Sequence, residues 1–271
     1  MNAHPRDIAA TESLLAFWRD AGVDACYLDA PVDHTHIAPP PVVQAVQRAT
    51  ASITPMPSAA GGSEEALAQA RQLAASANTL QDLAAAVAGF HGCSLRQMGA
   101  TQSVFGRGDA NAPVLVIGEA PGADEDRIGQ PFVGQAGHLL DRMIEAAGLT
   151  GKVFMTNTVF WRPPGNRPPA PQEQAVCAPF LERTFALLKP KAVLLLGGAT
   201  AKSVLQADEG IMKLRGQWKE WRLHEGAISA PVMPTLHPAF LLRQPQVKRL
   251  VWADLLSLAV RLETDSVEDH G

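Results

Sequence analysis

From residue 113 onward, short apolar runs alternate with longer amphipathic stretches. Pro113–Gly118 (PVLVIG), Val153–Asn157 (VFMTN) and Ala192–Gly197 (AVLLLG) are near-continuous apolar runs, and Pro231–Thr235 (PVMPT) is a weaker fourth. Such runs predict strands covered on both faces, as in a parallel sheet. Between them, Gly137–Ala147 carries Leu139, Leu140, Met143 and Ile144 on one side, and Pro171–Leu188 carries Val176, Phe180, Leu181, Phe185 and Leu188. Both patterns predict helices. The alternation implies right-handed crossovers and a three-layer α/β/α sandwich around a central four-stranded, mainly parallel sheet.

Upstream, residues 63–89 are rich in Ala, Leu and Gln, with Ser63 and Thr79 as N-cap candidates. They predict two helices. Residues 7–22 space Ile8, Leu14, Leu15, Phe17 and Trp18 as a short amphipathic helix. Residues 38–61 hold five prolines and run into the Gly61-Gly62 pair, a linker composition in which Val42, Val43 and Val46 suit a brief helix. The expected organisation is therefore an N-terminal helix and Pro/Ala-rich linker over 1–61, one globular domain over 62–262, and an acidic tail over 263–271.

The 271 residues are 46% hydrophobic and 18% charged, a globular balance. The net charge of −4 argues on its own against a nucleic-acid partner. Its distribution weakens that argument, because residues 91–260 carry 18 basic and 14 acidic residues while the flanks are acidic. A mildly basic centre suits phosphate binding and equally suits a mixed solvated surface. No apolar run reaches a bilayer-spanning length and no basic leader precedes an apolar stretch, so no membrane association is expected and the location is cytoplasmic. Cys26, Cys93 and Cys177 are too few for a disulfide framework, and no CxxC, HExxH or clustered His spacing provides a metal site.

The polar residues that carry chemistry sit where the predicted strands stop, the place where parallel sheets bind ligands. Gly118-Glu119-Ala120-Pro121-Gly122 follows the first strand and leads to Glu125-Asp126. A carboxylate there is partly desolvated, which tunes its pKa for base or electrostatic work. Gly129–Gly137 (GQPFVGQAG) opens a helix and offers Phe132 as a ring to stack on a planar base. Asn157 closes the second strand with a donor and an acceptor able to read a pyrimidine edge, and Arg162-Pro163-Pro164-Gly165-Asn166-Arg167 follows as a stiff basic loop suited to phosphates. His237, held before Pro238, can stabilise negative charge on a ligand oxygen. Leu241-Leu242-Arg243 reads as a wedge backed by a phosphate contact. Taken singly, each fragment also describes an ordinary turn, plug or core residue.

Their order and spacing over roughly residues 87–258 resemble family 4 uracil-DNA glycosylases. The resemblance extends through Leu139-Leu140-Asp141, Cys177–Leu181, Leu196-Gly197 and Lys213-Leu214-Arg215-Gly216. It implies hydrolysis of the N-glycosidic bond of uracil in single- or double-stranded DNA, after base flipping, by a monomer active in base excision repair. Phe132 and Asn157, with Gly118, Ala120 and Gly122, would hold the base. His237 would bond its O2, and Glu119 would position water or stabilise the sugar cation, with Glu125 and Asp126 in support. Arg162, Asn166, Arg167, Arg215, Leu241, Leu242 and Arg243 would engage DNA. Alternatives are a non-catalytic module binding uracil or abasic DNA, and a glycosylase preferring hypoxanthine or xanthine.

Two departures from that family pattern stand out. Members typically hold a [4Fe–4S] cluster through four cysteines; here Cys93 and Cys177 keep two positions while Phe90 and Trp161 occupy the others. The expectation is no cluster and no other cofactor, with the two rings as a hydrophobic plug and the cysteines close enough to pair. The basic insertion with which X-type relatives trap DNA covalently is also missing, since Arg167 runs directly into Pro168-Pro169-Ala170-Pro171. Turnover is expected.

Overall fold

The computed structural model describes residues 59–223 and 228–268. The amphipathic helix expected over 7–22, and all but the last three residues of the expected linker, lie outside them.

Helices α1 (Ala59–Ser76) and α2 (Leu80–Gly89) come first. Thr79 caps α2: its hydroxyl accepts the Asp82 N–H at 3.0 Å, and the Asp82 carboxylate accepts the Thr79 N–H at 3.0 Å, the reciprocal pairing of a capping box. Ser63 lies inside α1 rather than at its start.

Six strands follow: β1 (Gly106–Gly108), β2 (Val114–Gly118), β3 (Val153–Asn157), β4 (Ala192–Leu196), β5 (Lys219–Arg222) and β6 (Ser229–Thr235). They form one sheet in the order β1-β3-β2-β4-β6-β5. The four expected strands are its parallel centre. The expected count of four is corrected to six by β1 and β5, which add antiparallel edges. Neither has an apolar run to announce it: β1 is Gly-Arg-Gly, and β5 buries only Trp221.

Every residue of β2, β3 and β4 is buried, and the pleat sends alternate side chains to opposite layers. Val114, Val116, Met155, Leu194, Leu196 and Met233 join α4 (Gln135–Ala146), α8 (Pro238–Arg243) and α9 (Lys248–Glu268). Leu115, Ile117, Phe154, Val193, Leu195 and Val232 join α5 (Pro171–Leu188) and α6 (Gly198–Leu205). A third buried cluster packs α1 and α2 against α5. Helix α9 runs into the stretch expected as an acidic tail. Val251, Leu255, Leu258 and Leu262 anchor it at helical spacing, each contributing about 1.5–3 kcal/mol on burial.

Parallel pairing brings the strand ends level. Gly118 lies beside Asn157, and Leu196 beside Thr235. The residues that leave the sheet at this edge build the site.

Candidate functional site

A cleft of ≈ 570 Å³ opens at this carboxyl edge, lined by Glu119, Phe132, Asn157 and His237 and by the loops around them. Four side chains separated by up to 118 residues in the chain thus share one cavity. Two glycines make the convergence possible. A Cβ on Gly118 would stand 2.5 Å from both the Asn157 Oδ1 and the Phe132 Cζ. A Cβ on Gly137 would overlap the Phe132 carbonyl. Phe132 itself has φ 57, a left-handed backbone that costs a residue with a side chain about 1–2 kcal/mol. The residue is 7% exposed and lines the cleft. Asn157 is buried, with its amide on the cavity wall.

His237 precedes α8, and its ring centroid lies 6.4 Å from that of Phe132. Its Nδ1 accepts the Ala239 N–H at 3.1 Å. In the neutral ring the proton is therefore on Nε2, which becomes a donor. Burial, reinforced by the Arg243 charge and opposed by Glu125, lowers its pKa to about 4. The imidazole is uncharged at neutral pH, suited to donate a hydrogen bond rather than to pair as a cation.

The three candidate carboxylates separate into different roles. Glu119 lines the cleft, and burial raises its pKa. Glu125 reaches the same cavity as a strut: Gly122 N–H donates to its Oε2 at 3.0 Å, and Val133 and Gly134 N–H donate to its Oε1 at 2.9 Å each. Asp126 is turned away from the cleft and buried. It accepts the Thr101 N–H at 2.8 Å and the Thr101 hydroxyl at 2.6 Å. It belongs to helix α3 (Ala123–Ile128), whose turn places successive carboxylates on different faces.

Gly122, Ala120, Asn166, Arg167 and Arg243 also line the cleft. Arg162 donates to Asn166 Oδ1 at 2.8 Å, which stiffens the basic loop. Arg167 is held by Glu173, at 2.6 and 2.9 Å. Pattern reading missed Glu173. Its carboxylate is 5% exposed and also accepts the Ala170 N–H at 2.7 Å. Its place three residues into a Pro-started helix was the available signal. Hydrogen bonds from Arg167 lower its pKa against the opposing effect of burial.

Two DNA-contact expectations need correction. Arg215 pairs with the buried Asp254 and donates to the Leu250 carbonyl at 2.9 Å, while Thr235 donates to Asp254 at 2.6 Å. This network braces the strand end just before His237 and turns the Nε and Nη2 donors of Arg215 inward, away from a phosphate. Leu241 is fully buried in the layer with α9, whereas Leu242 is 41% exposed. A six-residue helix turns neighbouring side chains about 100° apart, so only one of the pair faces outward.

The residues present do not fit an iron–sulfur cluster. Cys93 and Cys177 are buried free thiols with sulfurs 4.0 Å apart. Phe90 and Trp161, both buried, share their cluster, with ring centroids 6.3 Å apart. Phe180 packs edge-on to Phe90 at 5.2 Å. A cubane cluster needs four thiolates, and this pocket offers two sulfurs packed among aromatic carbon. No group of three His, Cys, Asp or Glu side chains suited to a metal occurs among the described residues. Anaerobically purified protein is expected to lack stoichiometric iron and sulfide and to keep its fold in chelator. About four irons per chain would overturn this reading.

No helix among the described residues is long and apolar enough to cross a membrane. A family model described as the uracil DNA glycosylase superfamily matches residues 105–256. A type-4 uracil-DNA glycosylase of Sulfurisphaera tokodaii is 39% identical over 168 residues, 60% of this chain and 75% of the relative. One of Saccharolobus solfataricus is 37% identical over 171 residues, 61% and 78% of the two chains. One of Thermotoga maritima is 35% identical over 159 residues, 57% and 80%.

Proposed function

Because the chain belongs to the uracil-DNA glycosylase superfamily, we propose that it is a monofunctional uracil-DNA glycosylase of base excision repair. It acts as a cytoplasmic monomer on uracil in single- or double-stranded DNA. The observation that carries the reading is the meeting of Phe132, Asn157, His237 and Glu119 in one cleft.

The target nucleotide leaves the stack and its base enters the cleft. Phe132 stacks on the ring, and Asn157 pairs with the uracil edge through one donor and one acceptor. As the bond between C1′ and N1 breaks, its electron pair stays on the base and charge grows on O2. The His237 Nε2–H donates to that oxygen, a neutral donor placed where charge develops. Water adds to C1′, and its proton passes to the Glu119 carboxylate and then to solvent. Arg162, Arg167 and Arg243 meet phosphates, and the exposed Leu242 fills the gap left by the base. Incubation with a uracil-containing oligonucleotide followed by alkali tests the reading. Strand cleavage is expected; a mobility shift without cleavage would mark a binding module, and release of hypoxanthine or xanthine in preference to uracil would reassign the base.

The pH profile follows from the shifts in two groups. Water activation needs ionised Glu119, and burial makes that carboxyl protonate at a higher pH than an ordinary glutamate. The single-turnover rate is therefore expected to fall as pH drops, and to begin falling at a higher pH than an ordinary glutamate would set. His237, lowered to about 4, stays neutral through most of that range. Glu119→Gln should be slow and should lose this acidic limb. An unchanged limb in that variant would remove Glu119 from the role.

A further inference from the structure

Phe132 keeps a left-handed backbone that its own side chain disfavours, and such a residue persists only where its surroundings over-determine it. Gly137 makes room for it. Glu125 holds the N–H groups that follow Phe132, and the restraint on its carbonyl side comes from Arg107, the middle residue of the edge strand β1. Arg107 pairs in register with Met155 of β3, and the glycines on either side of it, Gly106 and Gly108, let β1 lie close on its neighbour. From there the guanidinium spans the loop. Its Nε–H donates to the Pro131 carbonyl at 2.7 Å, and its Nη2 donates to the Phe132 carbonyl at 3.1 Å. The same Nη2 meets Asp141 of α4 at 2.6 Å.

We propose that Arg107 is a positioning residue for base recognition, gripping the two carbonyls around Phe132 so that its ring is set before a nucleotide arrives, with Asp141 orienting the guanidinium. The inference rests on the proposed role of Phe132 as the ring that stacks on the extruded base. The chemistry needs arginine. Two carbonyls and a carboxylate are met by separate N–H groups of one rigid fork, whereas a lysine ammonium is a point charge on a flexible stem. Misplacing a substrate-positioning group by about 1 Å is enough to cost on the order of 100-fold in rate.

The test is a double-mutant cycle on the full chain, read by single-turnover uracil excision. Arg107→Ala is expected to slow excision about 10- to 100-fold and to weaken inhibition by free uracil, while affinity for an abasic-site duplex and its salt dependence stay close to wild type. Arg107→Lys should resemble Arg107→Ala. In a Phe132→Ala background the Arg107→Ala change should have almost no further effect, because both act through the same ring. Asp141→Asn should show a smaller loss with the same dependence on Phe132, and it carries the test if the Arg107 variants fold poorly. Additive losses, or a reduced salt slope for duplex binding, would overturn the proposal and make Arg107 a phosphate contact. A wild-type protein that releases no uracil would instead sink the functional reading itself, a result separate from any outcome of the cycle.

Discussion

Asn157→Ala should reduce uracil excision by about a thousandfold while leaving the affinity for abasic DNA nearly intact. In the proposed complex the substrate edge would sit where water is largely removed, since Asn157 is 2% exposed. Removing its amide leaves one donor and one acceptor on the base without partners, at about 2 kcal/mol each. A total of ~4 kcal/mol corresponds to roughly three orders of magnitude in rate. The backbone should tolerate the change, because Asn157 pairs in the sheet through main-chain groups beside Gly118. Single-turnover kinetics on a uracil oligonucleotide, together with equilibrium binding to an abasic-site duplex, checks both parts. A variant that keeps its excision rate would show that the base is read by another group.

The second large effect is expected at His237. Its alanine variant loses the donor to the uracil O2 and should be slower by about 10²–10³, the range found when one oxyanion donor is removed elsewhere. The Ala239 N–H also loses its acceptor. His237→Asn, which can offer an amide N–H, should recover part of the rate. The wild-type rate should show no transition attributable to this imidazole between pH 6 and pH 8, because burial keeps its pKa near 4. Loss of activity on lowering pH through the ordinary histidine range, abolished in the alanine variant, would contradict the neutral-donor assignment.

Much of this was legible in the sequence, for identifiable reasons. Strands covered on both sides must be apolar throughout, so β2, β3 and β4 stand out as runs. Polar residues that end such runs have few structural excuses, and this is why Glu119, Asn157 and His237 could be singled out. Other parts were hidden because burial is a tertiary property. Arg215 looks exposed in Lys-Leu-Arg-Gly, yet its partner Asp254 lies 39 positions away. Asp126 follows Glu125 directly, yet a helical turn sends it to Thr101 instead of the cleft. Leu241 and Leu242 are alike in composition and opposite in exposure. Edge strand β1 has no apolar residue to betray it, so nothing in the local sequence marks Arg107. Helix α9 is marked in the sequence by Val251, Leu255, Leu258 and Leu262, a weaker signal than the continuous apolar runs of the strands.

Glu125 grips Gly122 on one loop and Val133 with Gly134 on the next. Those loops carry Glu119 and Phe132, so this half of the cavity behaves as a rigid jaw. The opposite jaw is held as firmly, since the Arg215–Asp254–Thr235 network ties down the strand end before His237 and Leu241 roots α8 in the core, so the cavity's width is set before a nucleotide enters.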